Sequence, residues 1–265
     1  MMAGLTVAAV SPRIVTGDIE GNLARLADAI GRAVSQGAGL VVLPELATSG
    51  YALADRPEAE QTALGRDDPR WDVLQRELPG DAVVVVGYAE VDEGRLFNTA
   101  AVLMRDRRLG DYRKSHLWGA ESALFEPGDE AGVVVEAPFG RLGVAICYDD
   151  EFPEVPRRLA LSGADVLALP VAWPLLPRPD GEHPPETVQA MAAARSSRMP
   201  IVIADHHGGA RGITWTGGTA IVGCDGWLAA QHPEFTAAEL DLAATRDKSL
   251  PPHNDLFADR RPELY

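Results

Sequence analysis

Three residues of this chain could do covalent chemistry together. Cys147 closes the apolar run Leu142-Gly143-Val144-Ala145-Ile146 and is followed by Tyr148, two aspartates and Glu151. A thiol attacks only as thiolate, so it needs a base, a cation or a helix N-terminus beside it. Taken alone, a cysteine ending an apolar strand is more often a small buried hydrophobe. Glu45 stands behind Val41-Val42-Leu43-Pro44. A carboxylate there is costly to desolvate unless something pairs with it or uses it, and burial would raise its pKa towards that of a general base. The plainer alternative is an ionic partner or a helix cap at a strand end. Lys114, in Tyr112-Arg113-Lys114-Ser115-His116-Leu117, could be a fixed cation that stabilises an oxyanion and a thiolate. Lone lysines near strand ends are usually just solvated. Glu121, seven residues on, reads by itself as a solvent-facing helix residue.

The elements that must position these side chains alternate strand and helix along most of the chain. Leu5 to Val10 is β-prone. Asp18 is a suitable N-cap for a helix that carries Ile19, Leu23, Leu26, Ala27, Ile30 and Val34 on one face and stops at Gly37. A buried strand over Leu40 to Leu43 delivers Glu45. After a polar helical segment, Ala82 to Glu90 and Asn98 to Met104 read as a hairpin split at Asp92-Glu93-Gly94. A second hairpin, Val133 to Glu136 with Leu142 to Cys147, turns at Phe139-Gly140. Helices are expected at Phe152 to Ser162 and Glu186 to Ser197, with strands at Asp165 to Leu169, Ile201 to Ala204, Thr219 to Val222, Leu228 to Ala230 and Ala238 to Leu242. The tail from Pro251 is loop-like. Pro174 to Pro185 reads as a long surface loop of the kind that borders sites.

Continuous apolar strands such as Val83-Val84-Val85-Val86 suit sheets covered on both faces. Helices alone can cover only one face of so many strands. Two sheets packed face to face with helices outside would bury everything. With no linker and no internal repeat, residues 1–265 are expected to form one domain.

Composition narrows the partners. The 24 basic residues are outnumbered by 39 acidic ones, a net charge of −15 that repels phosphate backbones and anionic lipid. Nucleic acid and membrane are therefore not expected partners. No apolar stretch approaches the ~20 residues needed to span a bilayer. The segment Met1 to Val10 lacks the basic start of a secretory signal. Two cysteines, Cys147 and Cys224, suit cytosolic thiols better than a disulfide framework. The expected compartment is the cytoplasm.

Together the reactive segments resemble the motifs of the nitrilase superfamily of carbon–nitrogen hydrolases. Leu43-Pro44-Glu45-Leu46 with Ser49-Gly50-Tyr51 is similar to its glutamate block, Tyr112 to Leu117 to its lysine block, and Cys147-Tyr148-Asp149 with Phe152-Pro153-Glu154 to its cysteine block. Asn98-Thr99-Ala100, Phe125-Glu126-Pro127-Gly128, Leu159 to Asp165 and Ala193-Ala194-Arg195 also fit, so the resemblance runs nearly end to end. It implies an α/β fold, a four-layer α-β-β-α sandwich, and a Glu45–Lys114–Cys147 triad with Glu121 as a second active-site glutamate. It implies a homodimer or larger homo-oligomer built through outer helices, and no metal or organic cofactor. His116, His206 and His207 could suggest a metal, but the sequence gathers no ligand cluster around them.

The implied reaction is hydrolysis of a non-peptide C–N bond through a thioester, with a small-molecule amide as substrate. Tyr148 stands where nitrilases of this superfamily commonly have tryptophan, which favours an amidase. Carbamoyl-amino-acid hydrolases of the superfamily place arginine near the cysteine to pair a substrate carboxylate. Here Asp149-Asp150-Glu151 follow instead, which points to a neutral or amine-bearing carboxamide. Tyr51, Trp118, Tyr148, Asp150 and Trp173 are the expected substrate-binding residues. The alternatives are a nitrilase, an N-carbamoyl-amine amidohydrolase, or a catalytically silent scaffold of the same fold. Glu154 is expected to stabilise a helix N-terminus, and Cys224 to be a thiol in a hairpin turn.

Overall fold

A computed structural model describes residues 4–264. Met1 to Ala3 of the N-terminal segment lie outside the described residues. The strands in chain order are β1 (Leu5–Val10), β2 (Leu40–Val42), β3 (Val83–Asp92), β4 (Arg95–Leu103), β5 (Arg108–Arg113), β6 (Val133–Ala137), β7 (Gly140–Val144), β8 (Val166–Pro170), β9 (Ile201–Ala204), the short pair β10 (Gly209–Ala210) and β11 (Ile213–Thr214), β12 (Ala220–Val222), β13 (Leu228–Gln231) and β14 (Phe235–Leu240). The helices are α1 (Ile19–Ser35), α2 (Arg56–Thr62), α3 (Asp72–Gln75), α4 (Glu154–Leu161), α5 (Pro185–Ser197) and α6 (Leu242–Arg246).

The larger strands form two six-stranded sheets, ordered β14-β1-β2-β3-β4-β5 and β13-β12-β9-β8-β7-β6. Each has three parallel strands at its centre, β1-β2-β3 in one and β7-β8-β9 in the other, flanked by antiparallel neighbours. The valine run of β3 shows why the sheets stack. Alternate side chains point to opposite faces. Val84 and Val86, with Val41 of β2, pack under α1 through Leu23, Leu26 and Ile30. Val83 and Val85, with Val42, face the second sheet at Val144, Val166 and Ile203. Leu159 of α4 and Ala190 and Ala194 of α5 pack into that same core from the second sheet's outer side. The result is the expected four-layer α-β-β-α sandwich.

Local signals act as their chemistry requires. The Asp18 carboxylate accepts from the Gly21 N–H to start α1, and Gly37 follows the helix at φ +90°. Glu154 lies in the first turn of α4. Three boundaries differ from expectation. Strand β7 ends at Val144, and Cys147 opens a 3-10 turn over Cys147–Glu151, so α4 begins only at Glu154. The strand expected over Ala238 to Leu242 is shifted to Phe235–Leu240. Asp241 caps α6 by accepting from the Ala243 and Ala244 N–H groups, and a cap cannot also be mid-strand. The tail contains a two-residue strand pairing, Ser249–Leu250 with Asn254–Asp255.

Candidate active site

The C-terminal ends of the parallel strands meet between the sheets. Glu45, just past β2, donates its N–H to the Val171 carbonyl just past β8 (3.4 Å). His206, just past β9, donates from Nε2 to the Glu45 carbonyl at 2.6 Å. Burial lowers the His206 pKa to about 4, so the ring is neutral and this bond fixes which nitrogen carries its proton. Gly87 of β3 lets the Glu45 segment pass: its N–H donates to the Pro44 carbonyl at 3.1 Å, and a side chain there would strike the Pro44–Leu46 backbone.

Glu45, Lys114 and Glu121 converge in the buried space behind Cys147. Lys114 Nζ lies 2.7 Å from Glu45 Oε1 and 2.7 Å from Glu121 Oε1, with the lysine fully buried. Asn98 Nδ2 also donates to Glu45 Oε1 at 2.7 Å. Two of the three ammonium donors are thus taken and one remains. Glu45 Oε2, Glu121 Oε2 and Asn98 Oδ1 are buried with no fully formed hydrogen bond, leaving acceptors available inside the site.

The charges are strongly coupled. Burial pushes Glu45 up to about 7, against the pull of the Lys114 cation and of a hydrogen bond with the Cys147 thiol. Burial also drives the Cys147 thiol well above its ordinary range, as does the Glu45 charge, while Lys114 and the Ala172 N–H favour the thiolate. Desolvation disfavours the Lys114 ammonium, but the Glu45, Cys147 and Glu121 charges outweigh it and hold the lysine protonated above its ordinary range. Cys147 thus rests as a thiol beside Glu45, whose carboxylate becomes free to take its proton as pH rises through about 7.

Cys147 sits in the left-handed region at φ +49°, a conformation that costs energy for a non-glycine residue and has to be held. Asp149 holds it. Asp149 Oδ2 accepts from the Ile146 N–H at 2.9 Å and from the Tyr112 hydroxyl at 2.8 Å, and Oδ1 accepts from the His116 N–H at 3.2 Å. The cysteine turn is thereby tied to the segment that carries Lys114.

In front of Cys147 opens a cavity of about 280 Å³. Trp118, Tyr148, Ala172, Trp173, Pro174 and Leu176 supply its walls, with Glu151, Pro185 and Glu186 also lining it. Three expected substrate-binding residues, Trp118, Tyr148 and Trp173, therefore face this space. Pro174, Leu176 and Pro185 bring in the proline-rich loop. Tyr51 lies elsewhere: its hydroxyl donates to Glu121 Oε1 at 2.5 Å and its ring meets Trp215 edge-on. Asp150 is not among the lining residues. In a 3-10 turn residues three apart share a face, so Tyr148 and Glu151 reach the cavity while Asp150 is buried, both carboxylate oxygens unpartnered. Burial, with the nearby Glu151 and Asp149 charges, raises Asp150 to about 8.

The site also includes Asn98, Asp149, Ala172, Glu186 and His206, none of them among the expected catalytic or substrate-binding residues. Asn98 carried a signal, being a polar residue inside the apolar strand Phe97 to Leu103. The other four needed the fold. Among the described residues no group of three His, Cys, Asp or Glu could hold a metal ion. His116 Nδ1 is 2.8 Å from Asp149 Oδ1.

The carbon-nitrogen hydrolase family matches residues 6–248. This chain belongs to that family. A nitrilase from Pyrococcus abyssi is 35% identical, with 97% of this chain and 96% of the relative covered. An N-carbamoylputrescine amidase from Solanum lycopersicum is 31% identical over 94% of this chain and 90% of its own length. A solved structure of a Nesterenkonia sp. amidase mutant, 25% identical, superposes with a TM-score of 0.80 over 99% of this chain and 95% of its own, and carries the acetamide moiety of fluoroacetamide covalently at its active-site cysteine. The four-layer sandwich and the hydrolase class are thus common to this carbon–nitrogen hydrolase and its relatives. Among the described residues no helix is long and apolar enough to cross a membrane.

Proposed function

We propose that this carbon–nitrogen hydrolase cleaves small neutral or amine-bearing carboxamides, with Cys147 as nucleophile, Glu45 as general base and acid, and Lys114 as oxyanion donor. The observation that carries this reading is the Lys114 ammonium bridging two buried carboxylates beside a thiol that lines the cavity. Glu45 takes the thiol proton as Sγ bonds to the amide carbonyl carbon. The oxyanion is held by the remaining Lys114 donor and the Tyr148 N–H at the start of the 3-10 turn. Glu45 returns the proton to the nitrogen, the C–N bond breaks, and ammonia or an amine departs from the thioester. Water then gives a proton to Glu45 and attacks the thioester carbon. The C–S bond breaks, the thiolate recovers the proton, and the carboxylic acid leaves. Glu121 Oε2, buried without a hydrogen-bond partner, would accept from the substrate amide N–H, and the Tyr51 hydroxyl donates to the other oxygen of that carboxylate.

The substrate class rests on the lining of the cavity, which contains two carboxylates and no lysine, arginine or histidine. The tomato relative's name points the same way, since carbamoylputrescine ends in an amine. Two unpaired cysteines support a cytoplasmic location. Leu161 on α4 and Val188 on α5 leave 40% and 49% of their surface exposed, which supports a homodimer through these helices, with chain mass in solution as the check.

The test is a screen for ammonia release over short amides, ω-amides, carbamoyl amines and nitriles, followed by treatment with fluoroacetamide and peptide mass analysis. Amide turnover, loss of it in Cys147→Ala, and an adduct on Cys147 rather than Cys224 are expected. Best turnover on nitriles would favour the nitrilase alternative. No turnover and equal labelling of both thiols would favour the silent scaffold.

A further inference from the structure

The mouth of the Cys147 cavity holds two carboxylates from different elements. Glu151 ends the 3-10 turn that begins at Cys147, and Glu186 lies in the first turn of α5. They are close enough to act on each other: burial, and then the Glu186 charge, raises the Glu151 pKa. The dipole of α5 accounts for an acidic residue at position 186. It does not account for a second carboxylate set beside it, because like charges brought together disfavour each other's ionisation. A cation between them would relieve that repulsion. No lysine, arginine or histidine lines the cavity, and the buried Lys114 beneath it is already shared between Glu45 and Glu121.

Between thiol and carboxylates the surface is apolar. Trp173 is buried, but Trp118 and Leu176 leave 41% and 49% of their surface exposed at the rim. A methylene stem crossing from Cys147 to the mouth would cover that surface, and an ammonium at its end could also meet the face of Trp118.

We propose that Glu151 and Glu186 form an ammonium subsite at the mouth of the Cys147 cavity, so that the preferred substrate is an amide carrying an amine at the far end of a short apolar chain. This rests on the reading of Cys147 as the acyl-accepting thiol, which places the amide at the floor and the amine at the mouth. The two carboxylates act as specificity-determining residues. They touch the far end of the substrate and take no part in bond making.

The test compares three amides of equal length: 4-aminobutyramide, uncharged valeramide and anionic succinamate. The readout is the ratio of kcat/KM between the amine and the neutral amide. At low salt this ratio should be roughly tenfold, the scale expected when one ammonium meets two partly exposed carboxylates. It should shrink as salt is added, because rim charges are screened. In the double variant Glu151→Gln, Glu186→Gln the ratio should fall towards one, whichever way the separate rates move. A ratio near one in the natural protein, a preference for succinamate, or a ratio that survives the double substitution would each overturn the proposal. Binding separates it from the catalytic reading. In Cys147→Ala protein, titration calorimetry should still show 4-aminobutyramide binding more tightly than valeramide, and should do so even if no amide is turned over. Equal binding in that protein would overturn the subsite while leaving the catalytic reading in place.

Discussion

Gly87 lies directly against Glu45: a Cβ built at position 87 would come within 2.6 Å of the Glu45 Cα and 2.5 Å of the Pro44 carbonyl oxygen. The obstructing atoms are backbone, so they cannot swing aside as a side chain would. Gly87→Ala should therefore displace the segment that carries Glu45. Overpacking of this kind costs about 1–3 kcal/mol. The expected result is a lower midpoint in urea unfolding together with a fall in kcat larger than a stability loss alone explains. Wild-type kcat in the folded variant would contradict it.

With Glu45 as the proposed general base, the enzyme should show an acid limb set by this residue. Burial raises its pKa to about 7, and as a base it must be ionised to work. Activity is then lost as pH falls through about 7, well above the ordinary carboxylate range. The profile of kcat/KM against pH should rise to a plateau past neutrality. Glu45→Gln should abolish that limb and lower kcat/KM by about 10²–10⁴. A limb between pH 4 and 5 in the natural enzyme would assign the titration to a different group.

Removing the Lys114 charge should have two separable effects. Lys114→Met leaves Glu45 and Glu121 buried without their shared cation. Breaking a buried pair in this way typically costs roughly 3–5 kcal/mol in stability. Loss of an oxyanion donor should also reduce kcat by about 10²–10³. The stability deficit should narrow at acidic pH, where the stranded carboxylates accept protons. Urea midpoints measured at pH 5 and pH 8 check this, and a deficit that does not change with pH would refute it.

Asp150 should make the fold weaker in alkali. Its pKa rises from 3.8 to about 8, because burial and the nearby Glu151 and Asp149 charges disfavour its ionised form. The folded chain then holds a proton that the unfolded chain releases. This contribution is fully present below about pH 4 and is lost as pH climbs through about 8. Asp150→Asn keeps the shape without the titration. Melting temperatures at pH 5 and pH 9 should differ less in the variant, and the variant should be the more stable at pH 9. An unchanged pH dependence would show that Asp150 is paired or hydrated in solution.

How much of this could be read without coordinates depends on how local each signal is. The valine run of β3, the Asp18 cap and the turn at Gly37 follow from dihedral preferences and burial within a few residues, so they were legible. The order of Glu45, Lys114 and Cys147 at strand ends was legible as well, because each sits in its own short block. The placement of Asp150 was not. Between Tyr148 and Glu151 in sequence, it is turned away from the cavity by the three-residue period of the 3-10 turn.

What the sequence by itself determined is the inventory: a thiol and a glutamate behind apolar runs that demand burial, and a lysine and a second glutamate whose burial only the fold reveals. Only the tertiary structure decided their relations. Glu45 and Lys114 are 69 residues apart and meet at 2.7 Å, and His206 reaches the Glu45 carbonyl from 161 residues away. The turn at Cys147 is held by Asp149, whose partners include Tyr112 on β5 of the other sheet and His116 just past that strand. Glu186 joins Glu151 at the cavity mouth because α5 begins there. Such pairings depend on how two sheets stack at the ends of their parallel strands. Stacking is fixed by side chains packed across the whole core, so no short stretch of residues records it.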